Sequence, residues 1–175
     1  MQNDVFVLLI WLFPIIFAIH DFEEIVVVEK WVAKNKAVIL AKLPKRAGQF
    51  FEHNFAKKTH QFLMIVFFEF VLISIATILV HIFGFNGISK WFYLSLFSVM
   101  FFHAFTHIGQ ALFLKRYVIG LITSIFLLIP YGLYFYFVFI NEGLMRFLDI
   151  GISLVLGVGL FALFFPQLHQ RVSKL

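Results

Sequence analysis

"QFLMIVFFEFVLISIATILVHIF", residues 61–83, is an apolar run in which Glu69 is the only ionisable residue between Gln61 and Val80. A helix of about 20 apolar residues crosses the roughly 30 Å of hydrocarbon in a bilayer. The first apolar run of the chain has no Lys or Arg before it and no small-residue cleavage site, which favours a retained helix over a signal peptide. The sequence therefore predicts an all-α membrane bundle in one membrane-embedded domain, 1–175, with further spans at about 5–26, 91–114, 117–140 and 144–166.

The composition supports a membrane protein. Hydrophobic residues make up 62% of the 175 residues, charged residues make up 13%, and there are 27 Phe. A soluble domain is roughly 45–50% apolar and about 25% charged, so a water-soluble fold is excluded. The absence of Cys excludes a disulfide framework and thiolate metal sites.

The positive charge lies in the connections between spans, and this distribution predicts the orientation. Segment 27–60, the turn at 115–116 and the tail hold most of the Lys and Arg, whereas only Lys90 and Arg146 lie on the other side. The positive-inside rule then predicts an outer N-terminus and a cytoplasmic C-terminus. This distribution explains the net charge of +5 without nucleic acid. We expect the plasma membrane of a bacterial cell, the inner membrane, as the location.

The connection 27–60 mixes Lys with aromatic and aliphatic residues. This pattern is typical of short amphipathic helices that lie against the inner leaflet of the bilayer. The simpler alternative is that the connection only anchors the chain by its positive charge.

Polar side chains from three spans reach similar depths. Counted by helix rise from the cytoplasmic ends, these side chains lie about 5–16 Å inside the span. Spacings of i, i+3, i+4 and i, i+4, i+7 place the members from each span on one helix face. We expect Asp21, in contrast, to point away from this face, toward the interface. The converging residues are His20, Glu23 and Glu24 in the first span, Glu69 in the second, and His103, His107 and Gln110 in the third.

These carboxylates have no Lys or Arg at the same depth. Each ionised carboxylate inside a membrane costs on the order of 2.5–3.5 kcal/mol. The carboxyls are therefore either protonated and hydrogen-bonded to the histidines, or neutralised by a metal ion. Histidine with carboxylate suits a divalent metal, with Zn²⁺ favoured over Fe²⁺ or Mn²⁺. The predicted ligands are His20, Glu24, Glu69, His103 and His107, supported by Gln110 and by His60 at the start of the second span.

Three stretches resemble one known family. "HDFEE", residues 20–24, is similar to the motif of the HXXEE family of small integral membrane proteins. "HAFTHIGQ", residues 103–110, is similar to its H-x-x-x-H-x-x-Q block, and "RYVIGLITSIFLLIP", residues 116–130, resembles its R-Y-x-P-G stretch with Ile119 in place of Pro. Glu69 corresponds to a further acidic residue of the family. The resemblance covers nearly the whole chain and implies a polar membrane site of enzyme type, with the chemistry left open.

Three classes of function fit this pattern. The first is a metal-dependent membrane enzyme, with a hydrolase for a lipid or lipid-like substrate favoured and Glu23 or Glu24 as the base that activates water. A di-iron oxidoreductase bridged by Glu24 and Glu69 is a less favoured form. The second class is a metal-ion or proton transporter that uses the same cluster. The third is a non-catalytic membrane protein in which the cluster joins helices.

Overall fold

The computed structural model of the protein describes residues 2–54 and 58–172, without the side chains of 2–3, 53–54 and 169–170. Residues 55–57 of the predicted amphipathic connection and residues 173–175 of the tail lie outside this part. All regular structure in the described part is helical. The helices are α1 (Gln2–Lys42), α2 (Lys45–Asn54), α3 (Thr59–Phe83), α4 (Gly87–Leu114), α5 (Leu121–Asn141) and α6 (Phe147–Val172).

Five of these helices are long and apolar enough to cross a membrane, which confirms the predicted fold class. They are α1 and α3 to α6, and each overlaps one of the predicted spans. The spans predicted at 117–140 and 144–166 start a few residues too early, because residues 117–120 and 144–146 belong to the connections before α5 and α6. The orientation of the bundle in the membrane stays a prediction.

Helix α1 is longer than its predicted span. It continues without a break past residue 26 to Lys42, a length of 41 residues, or roughly 60 Å at the rise of an α-helix. The chain contains neither Gly nor Pro between Pro14 and Pro44, and helices usually end before a proline. Only α2 forms a separate helix in the described part of segment 27–60. The second half of α1 therefore extends the first span beyond the expected thickness of the hydrocarbon.

Aromatic rings fill the half of the bundle that contains the start of α1 and the end of α5. Tyr93, Phe97, Phe135 and Phe139 are fully buried and meet in stacked and tilted pairs, with Phe13 edge-on to Phe97. Membrane helices associate through packing rather than through the hydrophobic effect, and such ring pairs supply that packing. This half of the bundle is a filled core.

At the other end of the bundle, hydrogen bonds attach the connection between α4 and α5 to α1. The Trp31 indole donates a hydrogen bond to the Tyr117 carbonyl at 3.0 Å, and the Arg116 guanidinium donates one to the Asn35 side chain at 2.9 Å. Lys42 donates to the last turn of α4 at Phe113, at 2.8 Å. The extended part of α1 thus positions residues 115–120, which lie beside the polar cluster.

Candidate metal centre

Two helices bring four predicted ligands together. His20 and Glu24 are one turn apart on α1, and His103 and His107 are one turn apart on α4. One ligand atom from each of the four lies within 4.8 Å of the others. The structure therefore confirms that this His/Glu group is arranged so that it can hold a metal ion.

The nitrogen atoms of the three imidazoles approach one another and the Glu24 carboxylate. Nε2 of His107 lies 2.8 Å from Nε2 of His103 and 3.2 Å from Oε1 of Glu24. Nε2 of His20 lies 3.9 Å from the same Glu24 oxygen. His20, Glu24 and His107 are buried, and His103 is the most accessible of the four. A small volume inside the bundle thus contains four groups with lone pairs.

The hydrogen bonds of the cluster leave lone pairs available for a cation. Between Nε2 of His103 and Nε2 of His107 only one proton fits, so one of the two nitrogens is an acceptor. Nε2 of His20 is buried and has no hydrogen-bond partner in the described part of the chain. Buried polar atoms are normally paired. Three imidazoles and one carboxylate also match the ligand chemistry of Zn²⁺, so these residues fit a divalent ion.

The Thr123 hydroxyl at the start of α5 determines which nitrogen of His20 carries the proton. It lies 2.6 Å from Oε2 of Glu23 and 2.7 Å from Nδ1 of His20, whereas the Gly120 carbonyl is 3.4 Å away. A hydroxyl has one proton, which the carboxylate accepts, so Nδ1 of His20 must donate to Thr123. Nε2 of His20 then presents a lone pair to the cluster. Glu23 thus acts on His20 through the Thr123 hydroxyl. Carboxylates in this supporting position commonly orient metal-binding histidines.

Glu23 occupies a position different from that of the four ligands. Its carboxylate accepts hydrogen bonds from the Tyr117 hydroxyl at 2.5 Å, from the Thr123 amide at 2.8 Å and from the Ile122 amide at 3.4 Å, besides the Thr123 hydroxyl. Burial, together with the Glu23 carboxylate, raises the pKa of Tyr117 well above its usual range, so the phenol remains a donor. Glu23 therefore caps α5 and supports His20. Its role as the base stays a prediction.

Gly120 allows the connection to pass directly over the cluster. Its φ is +75°, and a Cβ built on it would lie 2.5 Å from Oε1 of Glu24 and 2.8 Å from Cε1 of His107. The left-handed backbone and the lack of space both require glycine here. Sequence reasoning did not assign a site role to Gly120 or Thr123, although both lie in the stretch that resembles the third family motif.

A cavity of about 300 Å³ adjoins the cluster. Glu24, His103 and His107 belong to its wall, and apolar residues of α1, α3, α4 and α6 make up most of the remainder. On α1 the wall extends from Phe17 to Val32, which is roughly 22 Å at the rise of an α-helix. The candidate metal centre thus lies along an elongated apolar cavity of the size that small-molecule sites have.

The remaining predicted residues lie at or outside this cavity. Glu69 and Gln110 line it, but neither belongs to the group of four convergent ligands. His60 is exposed at the start of α3 and is not part of the wall. The expectation that Asp21 points toward the interface is wrong, because Asp21 is only 6% exposed and lines the cavity. The cavity lies between α1, α3, α4 and α6, so neighbouring faces of α1 both contribute to it.

Comparisons with known proteins assign the chain to one family. Neither the curated proteins nor the solved structures contain a match to the chain. Residues 11–135 match the family described as "Protein of unknown function with HXXEE motif", a range that includes all four convergent residues, Gly120 and Thr123. The chain therefore belongs to the HXXEE-motif family.

Proposed function

We propose that the protein is a metal-dependent integral membrane hydrolase that acts on a lipid or lipid-like substrate. The observation that carries this proposal is the position of the His/Glu cluster on the wall of an elongated apolar cavity. A cluster that only joined helices would need no such cavity. We further propose Zn²⁺ as the metal, and the cytoplasmic half of the plasma membrane as the location of the site.

In this proposal His20, His103 and His107 hold the ion, and Glu24 acts as the base. A bound divalent ion supplies a Lewis acid that polarises the scissile carbonyl or phosphoryl group and acidifies water. The Glu24 carboxylate lies at the cluster and also lines the cavity, so it can accept a proton from the attacking water. The water oxygen forms the new bond to the acyl or phosphoryl centre while the bond to the leaving oxygen breaks. Glu24 then returns the proton to the leaving oxygen.

Transport of a metal ion or proton is the second candidate, and the described residues support it less. Beyond the cluster, the path along the bundle meets the fully buried rings of Tyr93, Phe97, Phe135 and Phe139. The Ser98 hydroxyl in that half bonds to Tyr136 and Ser153, and none of these three lines the cavity. A conduit needs polar groups at both depths, so the one-sided cluster favours a site that opens toward one end.

The test of the proposal starts with the metal. Protein purified in detergent and reconstituted in lipid nanodiscs is analysed by elemental mass spectrometry, before and after incubation with Zn²⁺, Fe²⁺ or Mn²⁺. We expect about one ion per chain, the capacity of a site with one set of ligands. Substoichiometric metal after every incubation would overturn the metal-dependent function.

Hydrolysis is then tested with the lipids of the host membrane. Metal-loaded protein, chelator-stripped protein and the Glu24→Gln variant are incubated with a total lipid extract, and the products are identified by mass spectrometry. We expect a product with the mass of water added across an ester bond, formed only by the loaded wild-type protein. Uptake of the ion into proteoliposomes without any lipid product would favour transport instead.

A further inference from the structure

The wall of the cavity beside the candidate metal centre is acidic. Its wall contains the carboxyl groups of Asp21, Glu24 and Glu69, and no Lys or Arg among the described residues. With all three carboxyl groups ionised, a divalent ion in the cluster would offset two of the three negative charges. Isolated charges in a membrane protein are costly, so the remaining charge calls for a further positive group.

The position of Asp21 indicates where such a positive group would bind. Its side chain is more than nine-tenths buried and lines the cavity, and its Oδ2 has no hydrogen-bond partner in the described part of the chain. Glu69 lies on the α3 side of the same cavity. A buried carboxylate oxygen without a partner leaves a large desolvation cost uncompensated. Two helices thus present carboxyl groups to one space whose wall, as far as residues 2–54 and 58–172 form it, includes no Lys or Arg.

The rest of the wall suits an organic cation with an apolar tail. Aromatic rings of Phe17, Trp31, Phe51 and Phe62 belong to it, and aromatic faces attract ammonium groups. Toward α6 the wall becomes apolar, at residues such as Val99 and Phe161. The cavity therefore combines acidic and aromatic groups near the metal centre with an apolar extension.

We propose that the lipid-like ligand of this cavity carries an ammonium group, which binds between Asp21 and Glu69, and an alkyl chain, which occupies the apolar extension. This inference rests on the proposed function, because it names the substrate class of that same site. The ammonium group selects the ligand and takes no part in the hydrolytic step.

The test compares probes that share a chain and differ in the head group. The Trp11→Phe/Trp91→Phe double variant leaves Trp31, which lines the cavity, as the only tryptophan and hence the fluorescent reporter. Full-length protein in nanodiscs of neutral lipid is titrated with octyltrimethylammonium, octanol, octanoate and tetramethylammonium. We expect octyltrimethylammonium to bind at least about tenfold more tightly than each of the others, as one charge or cation–π contact in a desolvated site provides.

Carboxylate variants then locate the cation. Asp21→Asn and Glu69→Gln should each weaken binding of octyltrimethylammonium about tenfold, which is modest for the loss of one partly buried charge contact. The matched control is Glu52→Gln, because Glu52 is exposed, pairs with Lys36 and lies outside the cavity wall. The comparison among the four probes uses protein in which Asp21 and Glu69 are unchanged. It therefore tests the ammonium ligand even if a carboxylate variant fails to fold.

Metal content measured on the same samples separates the two proposals. Equal affinity for octanol and octyltrimethylammonium, or tighter binding of octanoate, would overturn the ammonium ligand even in metal-loaded protein. Equal affinity for tetramethylammonium would indicate a soluble amine and would overturn the amphiphilic ligand. Selective ammonium binding in a protein that holds no metal would overturn the proposed hydrolase alone.

Discussion

The Thr123 hydroxyl connects the Glu23 carboxylate with the His20 imidazole, which lies about one turn earlier on the same face of α1. It donates to Glu23 and accepts from Nδ1 of His20, which leaves Nε2 of His20 as a lone-pair donor for the cluster. Both contacts are short, at 2.6 and 2.7 Å. At the scale of single residues, the site thus depends on a hydroxyl that does not itself belong to the four convergent ligands.

Replacing this hydroxyl should weaken metal binding without removing a ligand. Thr123→Val keeps the shape of the side chain, and we expect about 10- to 100-fold lower Zn²⁺ affinity, as for other supports of metal ligands. Thr123→Ser keeps the hydroxyl and should stay within a few-fold of wild type. Competition with a chromophoric chelator measures both affinities. Unchanged affinity in Thr123→Val would contradict the assigned role.

Removing the two α4 imidazoles should abolish metal binding. We expect His103→Ala/His107→Ala to retain less than about a tenth of the wild-type metal, because two of the four convergent ligands are lost. His81→Ala is the control, since His81 packs edge-on against Trp11, far along the sequence from the cluster. Elemental mass spectrometry of folded, monodisperse protein checks both variants. Wild-type metal content in the double variant would place the site elsewhere.

At the scale of elements, the connection between α4 and α5 completes the site that the two long helices begin. Trp31 and Arg116 hold this connection against α1, and Gly120 then passes over the cluster. Glu23 caps the first turn of α5 through the Ile122 and Thr123 amides. The extension of α1 beyond its predicted end is therefore part of the scaffold of the site.

Gly120→Ala tests this arrangement, with Gly143→Ala as a matched control. Both glycines have a left-handed backbone, at φ +75° and +69°, and alanine there costs about 1–2 kcal/mol. Only at Gly120 would the new Cβ meet Glu24 and His107, whereas the space around Gly143 is open. We expect both variants to have a lower thermal midpoint, and only Gly120→Ala to lose metal. Equal metal content in the two variants would show that the close approach of Gly120 is unimportant for the site.

At the scale of the whole molecule, the bundle is divided into a filled half and a half with a cavity. The aromatic rings around Phe97 and Phe135 occupy the first, and the carboxylates and histidines line the cavity of the second. The positive-inside rule predicts that the cavity lies toward the cytoplasm. The side of the membrane from which a ligand or metal ion approaches depends on this orientation.

Single cysteines can establish the orientation, because the chain has no Cys of its own. Asn141 at the end of α5 and Gln49 on α2 are both exposed, and they lie at opposite ends of the bundle according to the predicted topology. In intact cells we expect a membrane-impermeant maleimide to label Asn141→Cys, and to label Gln49→Cys only after permeabilisation. The reverse pattern would place the cavity at the outer surface.

Much of this protein was predictable because the signals are local. Runs such as 61–83 indicate a membrane span by hydropathy alone, and helical periodicity places His20 with Glu24, and His103 with His107, on shared faces. The depth of each residue follows from the helix rise, which brings these two pairs to one level. The sequence alone thus determined the membrane bundle and a set of candidate ligands that includes the four residues of the candidate centre, with Glu69 as a further member.

Only the tertiary structure decided which groups complete that centre. Thr123 is 103 positions from His20, and its contact depends on how α5 is rotated and how deeply it is set against α1. The same packing turns Asp21 into the cavity, assigns Glu23 to the cap of α5 and brings Gly120 over Glu24. Helix rotation and depth are set by side chains from several helices at once, and no spacing within one helix encodes them.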